Sequence, residues 1–222
     1  TGMEEVAMRK PLGLLMAAFD VSSCPRDEFD DWYDTEHIPD RERIPGFLTL
    51  ERSVDVDNPD VALAIYDLQS TDVLQRPDYL AIGYRSPSPW TRRLMPMCKR
   101  VLRFVGDQIT PGNVIAPKGA GGMLFMGFNL EPGAEEDYAR WMDEEHLPNL
   151  SKVPGVLSAR RFVGEEGTHK YVAVYHLTHP EVCSSPEWLA ARETPWTHRI
   201  RPRTRDRLRL TLRPYRRDRP LP

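Results

Sequence analysis

The stretch W-Y-D-T-E-H-I-P at Trp32–Pro39, followed by P-G-F at Pro45–Phe47, has a second copy in the same chain. That copy is W-M-D-E-E-H-L-P at Trp141–Pro148, followed by P-G-V at Pro154–Val156. Sliding the chain on itself by 109 residues matches seven of the 19 positions from Phe29 to Phe47, where average composition gives about one. The register continues. Arg52 falls on Arg161, Tyr66 on Tyr175, and P-D-Y-L-A (77–81) on P-E-W-L-A (186–190). After a three-residue slip, P-W-T-R-R (89–93) falls on P-W-T-H-R (195–199). A period this long is a duplicated domain, not a solenoid.

Each half has the same predicted plan. L-G-L-L-M-A-A-F (12–19) and M-L-F-M-G-F-N-L (123–130) are short apolar runs bounded by turn formers, hence buried strands. An acid-opened helix follows, Arg26 to about His37 and Ala134 to about His146, with one apolar face from Phe29/Trp32/Tyr33 or Tyr138/Trp141/Met142. The proline two residues after each histidine disfavours helical geometry at the residue between, which places the histidine in the last turn. G-F-L-T-L-E-R-S and G-V-L-S-A-R-R-F-V read as second strands, V-A-L-A-I-Y-D-L and Y-V-A-V-Y-H-L as third strands. A Pro-punctuated helical region comes next, around 77–98 and 186–200. V-L-R-F-V and L-R-L-T-L close the halves as fourth strands.

The order β-α-β-β-α-β is the ferredoxin-like motif, whose helices cover one sheet face and leave the other in need of a partner. The fold expected is therefore α+β: two tandem ferredoxin-like repeats packed sheet to sheet as a pseudo-dimeric barrel, with a cavity between the sheets. The division expected is 11–109 for the first repeat, 110–122 for a Gly/Pro-rich linker, 123–215 for the second repeat and 216–222 for a C-terminal tail.

Composition narrows the class. The chain has 222 residues, 40% hydrophobic and 28% charged, with a net charge of −3. It has no run of about 18 apolar residues that would span a membrane. The opening T-G-M-E-E-V-A-M-R-K has acids where a secretory signal needs a basic start. Cys24, Cys98 and Cys183 are odd in number and never in C-x-x-C spacing, which argues against a disulfide framework or thiolate zinc site. Reduced thiols in a cytoplasmic protein is the expectation. From Arg199 onward ten arginines face two aspartates, a local +8 that leaves −11 for the rest. The alternation Arg199 to Arg209 is that of one face of an extended segment. No aromatic residues are interleaved to stack on bases, so a solvated or intersubunit face is expected and nucleic acid is not.

Taken together, an apolar strand, F-x-x-W-Y-x-x-E-H-x-P, I-P-G-F, an aromatic strand and P-W-T resemble the dimeric α+β barrel superfamily, and within it EthD-like proteins. The likeness covers nearly the whole chain, once per half. It implies a small, partly apolar ligand (aromatic, lactone or polyketide-like); haem is open by superfamily analogy, but the sequence has no axial-ligand signal, and no cofactor is expected. The superfamily spans isomerases, cyclases, dehydratases, cofactor-free monooxygenases, haem-degrading enzymes and members without known activity, among which a fold cannot choose. The usual member is a homodimer of single copies. This tandem chain is expected to be an intramolecular pseudo-dimer, with a homodimer of such chains left open.

His37 and His146 are the sharpest catalytic candidates, because an imidazole takes and returns a proton near neutrality. Glu36 and Glu145 are candidates for fixing their tautomers, although neighbours on a helix point about 100° apart. The competing reading is structural: a helix-terminal histidine capping carbonyls. Tyr66 and Tyr175 on third strands are candidates to orient a carbonyl, if they face a cavity. Arg52 and Arg161 can meet a carboxylate or enolate, or form plain ion pairs. Trp90 and Trp196 are candidates for a pocket wall or for clamping the last helix, and Trp32 and Trp141 read as core anchors. Tyr33, one helical turn before His37, tips the expected working site to the first half. The sequence contains no nucleophile elbow, no phosphate loop and no convincing metal set; H-L-T-H (His176–His179) lacks an obvious third ligand. A non-catalytic ligand-binding barrel and a cofactor-free monooxygenase of hydroxyaromatics stay open as rivals.

Overall fold

The computed structural model describes residues 10–83 and 85–222. The N-terminal stretch read above against a secretory signal lies, apart from Lys10, outside the described residues. In the first half β1 (Gly13–Asp20) leads to α1 (Arg26–Trp32), a π-helical turn (Tyr33–His37) and α2 (Ile38–Glu42). Then come β2 (Glu51–Asp55), β3 (Val61–Leu68), α3 (Pro77–Leu80), α4 (Pro89–Leu94) and β4 (Lys99–Thr110). The second half repeats this as β5 (Gly122–Leu130), α5 (Glu135–Trp141), a π turn (Met142–His146) and α6 (Leu147–Ser151). It ends with β6 (Val156–Gly167), β7 (Tyr171–Leu177), α7 (Pro186–Arg192), α8 (Pro195–Ile200) and β8 (Thr204–Pro214).

The eight strands close into one antiparallel barrel in the order β1-β3-β2-β8-β5-β7-β6-β4. Each half contributes a four-stranded ferredoxin-like sheet, and the halves meet at two seams. The β4–β6 seam is long, running from Phe104 opposite Gly167 to Thr110 opposite Arg161. The β2–β8 seam holds Ser53 to Asp55 against Pro214 to Leu212. Across the seams a buried ion pair joins the halves: Arg160 Nη1 donates to Asp67 Oδ1 at 2.6 Å. The other Asp67 oxygen accepts from the Ala116 amide at 2.7 Å and Thr49 Oγ1 at 2.9 Å. The segment between β4 and β5 is thereby pinned to Asp67 of β3.

Strand alternation decides what each face does. Leu14, Met16, Leu63, Phe104, Phe125 and Phe162 point inward and are almost fully buried in one apolar cluster. Leu15, Tyr66 and Leu68, and their counterparts Leu124, Tyr175 and Leu177, point outward into clusters shared with the helices. The expectation of a ligand cavity between the sheets is thus corrected. The interior is a packed core, where each large side chain contributes about 1.5–3 kcal/mol. Vacating several of them for a ligand would cost more than a small molecule returns.

A second correction concerns the helix. Ile38 and Leu147, each before a proline, stay helical at φ −68°, ψ −52° and φ −63°, ψ −46°. The chain does not stop at the histidine. The π turn supplies the extra residue that absorbs the missing proline N–H, and such turns are often found at functional positions. The arginine alternation is also reinterpreted: Arg199 lies in α8 and Arg201 and Arg203 in a short turn, so strand geometry holds only from Thr204. Among the described residues no helix is long and apolar enough to cross a membrane.

Candidate functional site

Both histidines sit on their π turn with a tryptophan behind them, and the two halves then part. In the first half, the His37 ring lies 4.7 Å from Trp32 and 4.4 Å from Tyr33, centroid to centroid. Arg41 Nη1 donates to the His37 carbonyl at 3.0 Å. The side chain is buried, and burial together with Arg41 and Arg52 holds its pKa well below the ordinary range. What borders it outside is a polar surface cleft of about 240 Å³, lined by Glu36, Asp40, Ser86, Ser88 and Thr91.

In the second half, the His146 ring stacks on Trp141 at 4.1 Å and 29°. Its Nδ1 is buried without a hydrogen-bond partner, and no partner is found for Nε2 among the described residues. The ring borders a cavity of about 110 Å³ between the outer face of the sheet and the helices. The floor is Leu124, Met126 and Phe128 of β5 with Tyr175 of β7, Trp188 of α7 walls it, and Arg207 of β8 reaches it. Burial, then Arg201 and Arg192, push the His146 pKa down to about 3. The imidazole is therefore neutral, with its acceptor nitrogen unspent. Burial also pushes the Tyr175 phenol up, so it remains an O–H donor. Tyr175 meets Trp188 edge-on at 5.1 Å.

The glutamates beside the histidines do other work. Glu36 accepts from Trp32 Nε1 and Thr91 Oγ1, each at 3.2 Å, and from Ser88 Oγ, the cap of α4. Glu145 accepts from Thr194 Oγ1, the cap of α8. Neither bonds its neighbouring histidine. They tie the E-H helix to the last helix of each half, which removes the expected tautomer-fixing role. The arginines are committed as well. Arg52 bonds Asp30 and Asp34 at 2.6 Å each and lies 3.7 Å over the Tyr215 ring. Arg161 bonds Asp143 at 2.8 Å. Trp90 Nε1 donates to Glu28 at 2.7 Å and Trp196 Nε1 to Asp137 at 3.0 Å, so both act as clamps. Tyr33 and Tyr66 place their hydroxyls 3.4 Å apart within the first core, away from the second-half cavity.

Among the candidates read from sequence, then, His146 and Tyr175 share one cavity. In the first half Tyr33 lies against the His37 ring and His37 borders the polar cleft, whereas in the second Met142 stands at that position and lines the cavity with His146. Missed altogether were Trp188, Arg192, Arg201 and Arg207. The legible sign of the last two was divergence: in repeat register Arg201 replaces Met95 and Arg207 replaces Val101. Among the described residues no group of three or more His, Cys, Asp or Glu side chains converges to hold a metal. His176 faces Glu51 at 3.0 Å and His179 faces Glu181 at 3.0 Å.

No family model matches the sequence, and no curated protein matches it. In structure the chain is similar to an anthrone oxidase-like protein, with TM-score 0.64 and 14% identity over 93% of this chain and 92% of that one. It is also similar to a variant of the chlorite dismutase from Candidatus Nitrospira defluvii (0.62, 9%, 93% and 92%). A third similar structure is a ferredoxin-fold protein from Listeria monocytogenes related to antibiotic biosynthesis monooxygenases (0.51, 8%, 96% and 100%). At these identities the likeness is one of fold: the chain has the dimeric α+β barrel fold, closed here within a single polypeptide.

Proposed function

We propose that the protein is an EthD-like barrel that binds a small, partly apolar molecule (aromatic, lactone or polyketide-like) in the second-half cavity. There His146 moves a proton on that molecule without a bound cofactor, in isomerase, cyclase or dehydratase chemistry. One observation carries the reading: a neutral imidazole with no hydrogen-bond partner borders a cavity walled by apolar and aromatic side chains. The neutral ring takes a proton from an acidic C–H or O–H of the ligand and returns it at another atom, so an isomerisation closes without net proton change. The Tyr175 O–H lines the same cavity and supplies a donor for an oxygen that gains charge as the proton leaves. The apolar walls given by Trp141 and Trp188 strengthen both interactions by lowering the local dielectric.

The test is a thermal-shift screen of phenols, lactones and polyketide-like acids on wild type, His146→Ala and His37→Ala, followed by proton exchange of the stabilising ligand in heavy water. The expected result is a ligand response and exchange lost in His146→Ala, while its unliganded melting temperature holds. His37→Ala melts earlier and responds as wild type does. A His146→Ala protein that responds and exchanges like wild type sinks the reading and leaves a non-catalytic barrel. A second reading, cofactor-free oxidation of a hydroxyaromatic by dioxygen, is supported by the likeness to an anthrone oxidase-like protein. It uses the same base on a phenolic O–H, and oxygen consumption by the ligand complex distinguishes it.

A further inference from the structure

Four arginines border the second-half cavity: Arg192 at the end of α7, Arg201 after α8, and Arg207 and Arg209 on β8. Their charges are unevenly answered. Glu193 accepts from Arg192 at 2.9 Å and from Arg201 at 2.7 Å, one carboxylate for two guanidiniums. Arg209 donates to Thr211 Oγ1 and Cys183 Sγ and lies near Asp55. Arg207 has no ion-pair or hydrogen-bond partner among the described residues. Arg201 and Arg192 lie close enough to depress its pKa, after burial. Arg207 and Arg209 are exposed, so water screens part of the mutual repulsion and an entering anion relieves the remainder. The first half has no such cluster. In repeat register Met95 stands for Arg201 and Val101 for Arg207, while Arg103, standing for Arg209, is paired with Glu166 at 2.8 Å.

We infer that the ligand of this cavity is an aromatic or conjugated carboxylate, its anionic end held by Arg207 with Arg201 and its apolar body laid on Trp141 and Trp188 beside His146. The inference rests on reading this cavity as the ligand site and adds the charge of what enters. It also bears on the basicity of His146. A base held near pKa 3 is a weak one. The charged groups facing His146 are Arg192 and Arg201 from the α7–α8 side and Arg207 and Arg209 from β8, with neutral Tyr175 on β7. Burial is the larger cause of that low value and the arginines the smaller; a carboxylate between the arginines offsets their part, so binding raises the histidine's proton affinity to that extent. The carboxylate-bearing molecule thus switches on the base that acts on it.

The test is calorimetric titration of the full chain with cinnamate and, as the uncharged probe of the same shape, cinnamamide. Cinnamate is expected to bind at least about tenfold more tightly, the gain from charge-assisted bonds to guanidinium, and to lose that margin as salt is raised. Arg207→Val, the first-half residue at this position, is expected to remove the margin while leaving cinnamamide binding intact, which also shows that the variant is folded. Cinnamate binding is expected to take up a proton, read as a buffer-dependent heat, and His146→Gln to abolish that uptake. Equal affinities for the two probes, unaltered by Arg207→Val, overturn the anion inference while leaving an apolar ligand site. Failure of both probes at millimolar concentration overturns the site itself. A carboxylate preference without proton uptake overturns the coupling to His146.

Discussion

His37 and His146 share a π turn, a tryptophan five residues earlier and a proline two residues later, yet one borders a polar cleft and the other a largely apolar cavity. In the first half Tyr33 closes on the ring and Arg41 ties down its carbonyl. In the second half Met142 and Leu150 occupy those positions in repeat register, and both line the cavity instead. The C-terminal residues strengthen the contrast. Tyr215 covers Arg52, and Arg217 and Arg219 bind Asp31 of α1, so the first-half helix is locked from outside. Duplication kept the backbone twice and let the side chains diverge. The first copy gained ties, and the second kept an opening ringed with positive charge.

The comparison is broken or sharpened most strongly at the paired arginines. Arg52→Ala removes two short charge-assisted bonds, leaving Asp30 to Arg26 and Asp34 to Arg217, and is expected to cost about 1.5–3 kcal/mol in urea unfolding. Arg161→Ala frees Asp143, 42% exposed, and is expected to cost about 1 kcal/mol or less. Equal losses would mean that the first half is not the more tightly tied.

Acid comes next. Both histidines have folded pKa values below the ordinary 6.5, about 3 for His146. Below pH 6.5 the unfolded chain therefore binds protons that the folded chain refuses. Stability is complete above that pH and falls as pH drops toward the folded values, by at most about 1.4 kcal/mol per unit for each histidine. Between pH 6.5 and 5, His146→Gln and His37→Gln are each expected to reduce that fall by up to about 2 kcal/mol relative to wild type. Unfolding midpoints across that range check it. An unchanged pH slope in either variant would show that histidine to be open to water.

The smallest effect tests likeness rather than difference. Trp90→Phe and Trp196→Phe each remove one indole N–H bond to an acid of the first helix, Glu28 or Asp137. Losses of about 0.5–1.5 kcal/mol are expected, similar in the two halves. A clear loss in one alone would show that the P-W-T clamp did not survive duplication in both.

The repeated Pro-Gly shows why the fold was readable. Gly46 and Gly155 have φ of +103° and +91°, and a Cβ there would sit 2.6 Å from a methyl of Val73 or Val182. Only glycine meets both conditions, so the residue recurs in both halves. The strands were legible because those buried on both faces read as continuous apolar runs. The π turns were not. Proline's local preference predicted a stop, whereas packing of Trp32 and Trp141 carried the helix on.

What the sequence determined by itself is the duplicated β-α-β-β-α-β plan, because helix and strand periods, turn glycines and capping hydroxyls are local properties. It also marked the two histidines, the chemistry-bearing residues of the motif. What only the tertiary structure decided is where space remains. Alternation says that a strand has two faces without saying which becomes core, and the barrel interior took the large apolar side chains. The outer face of the second sheet was left to meet the helices incompletely, beside His146. A void and the charges around it arise from packing between distant segments, here β5, β7, β8 and the helices above them, and no single stretch of chain encodes them.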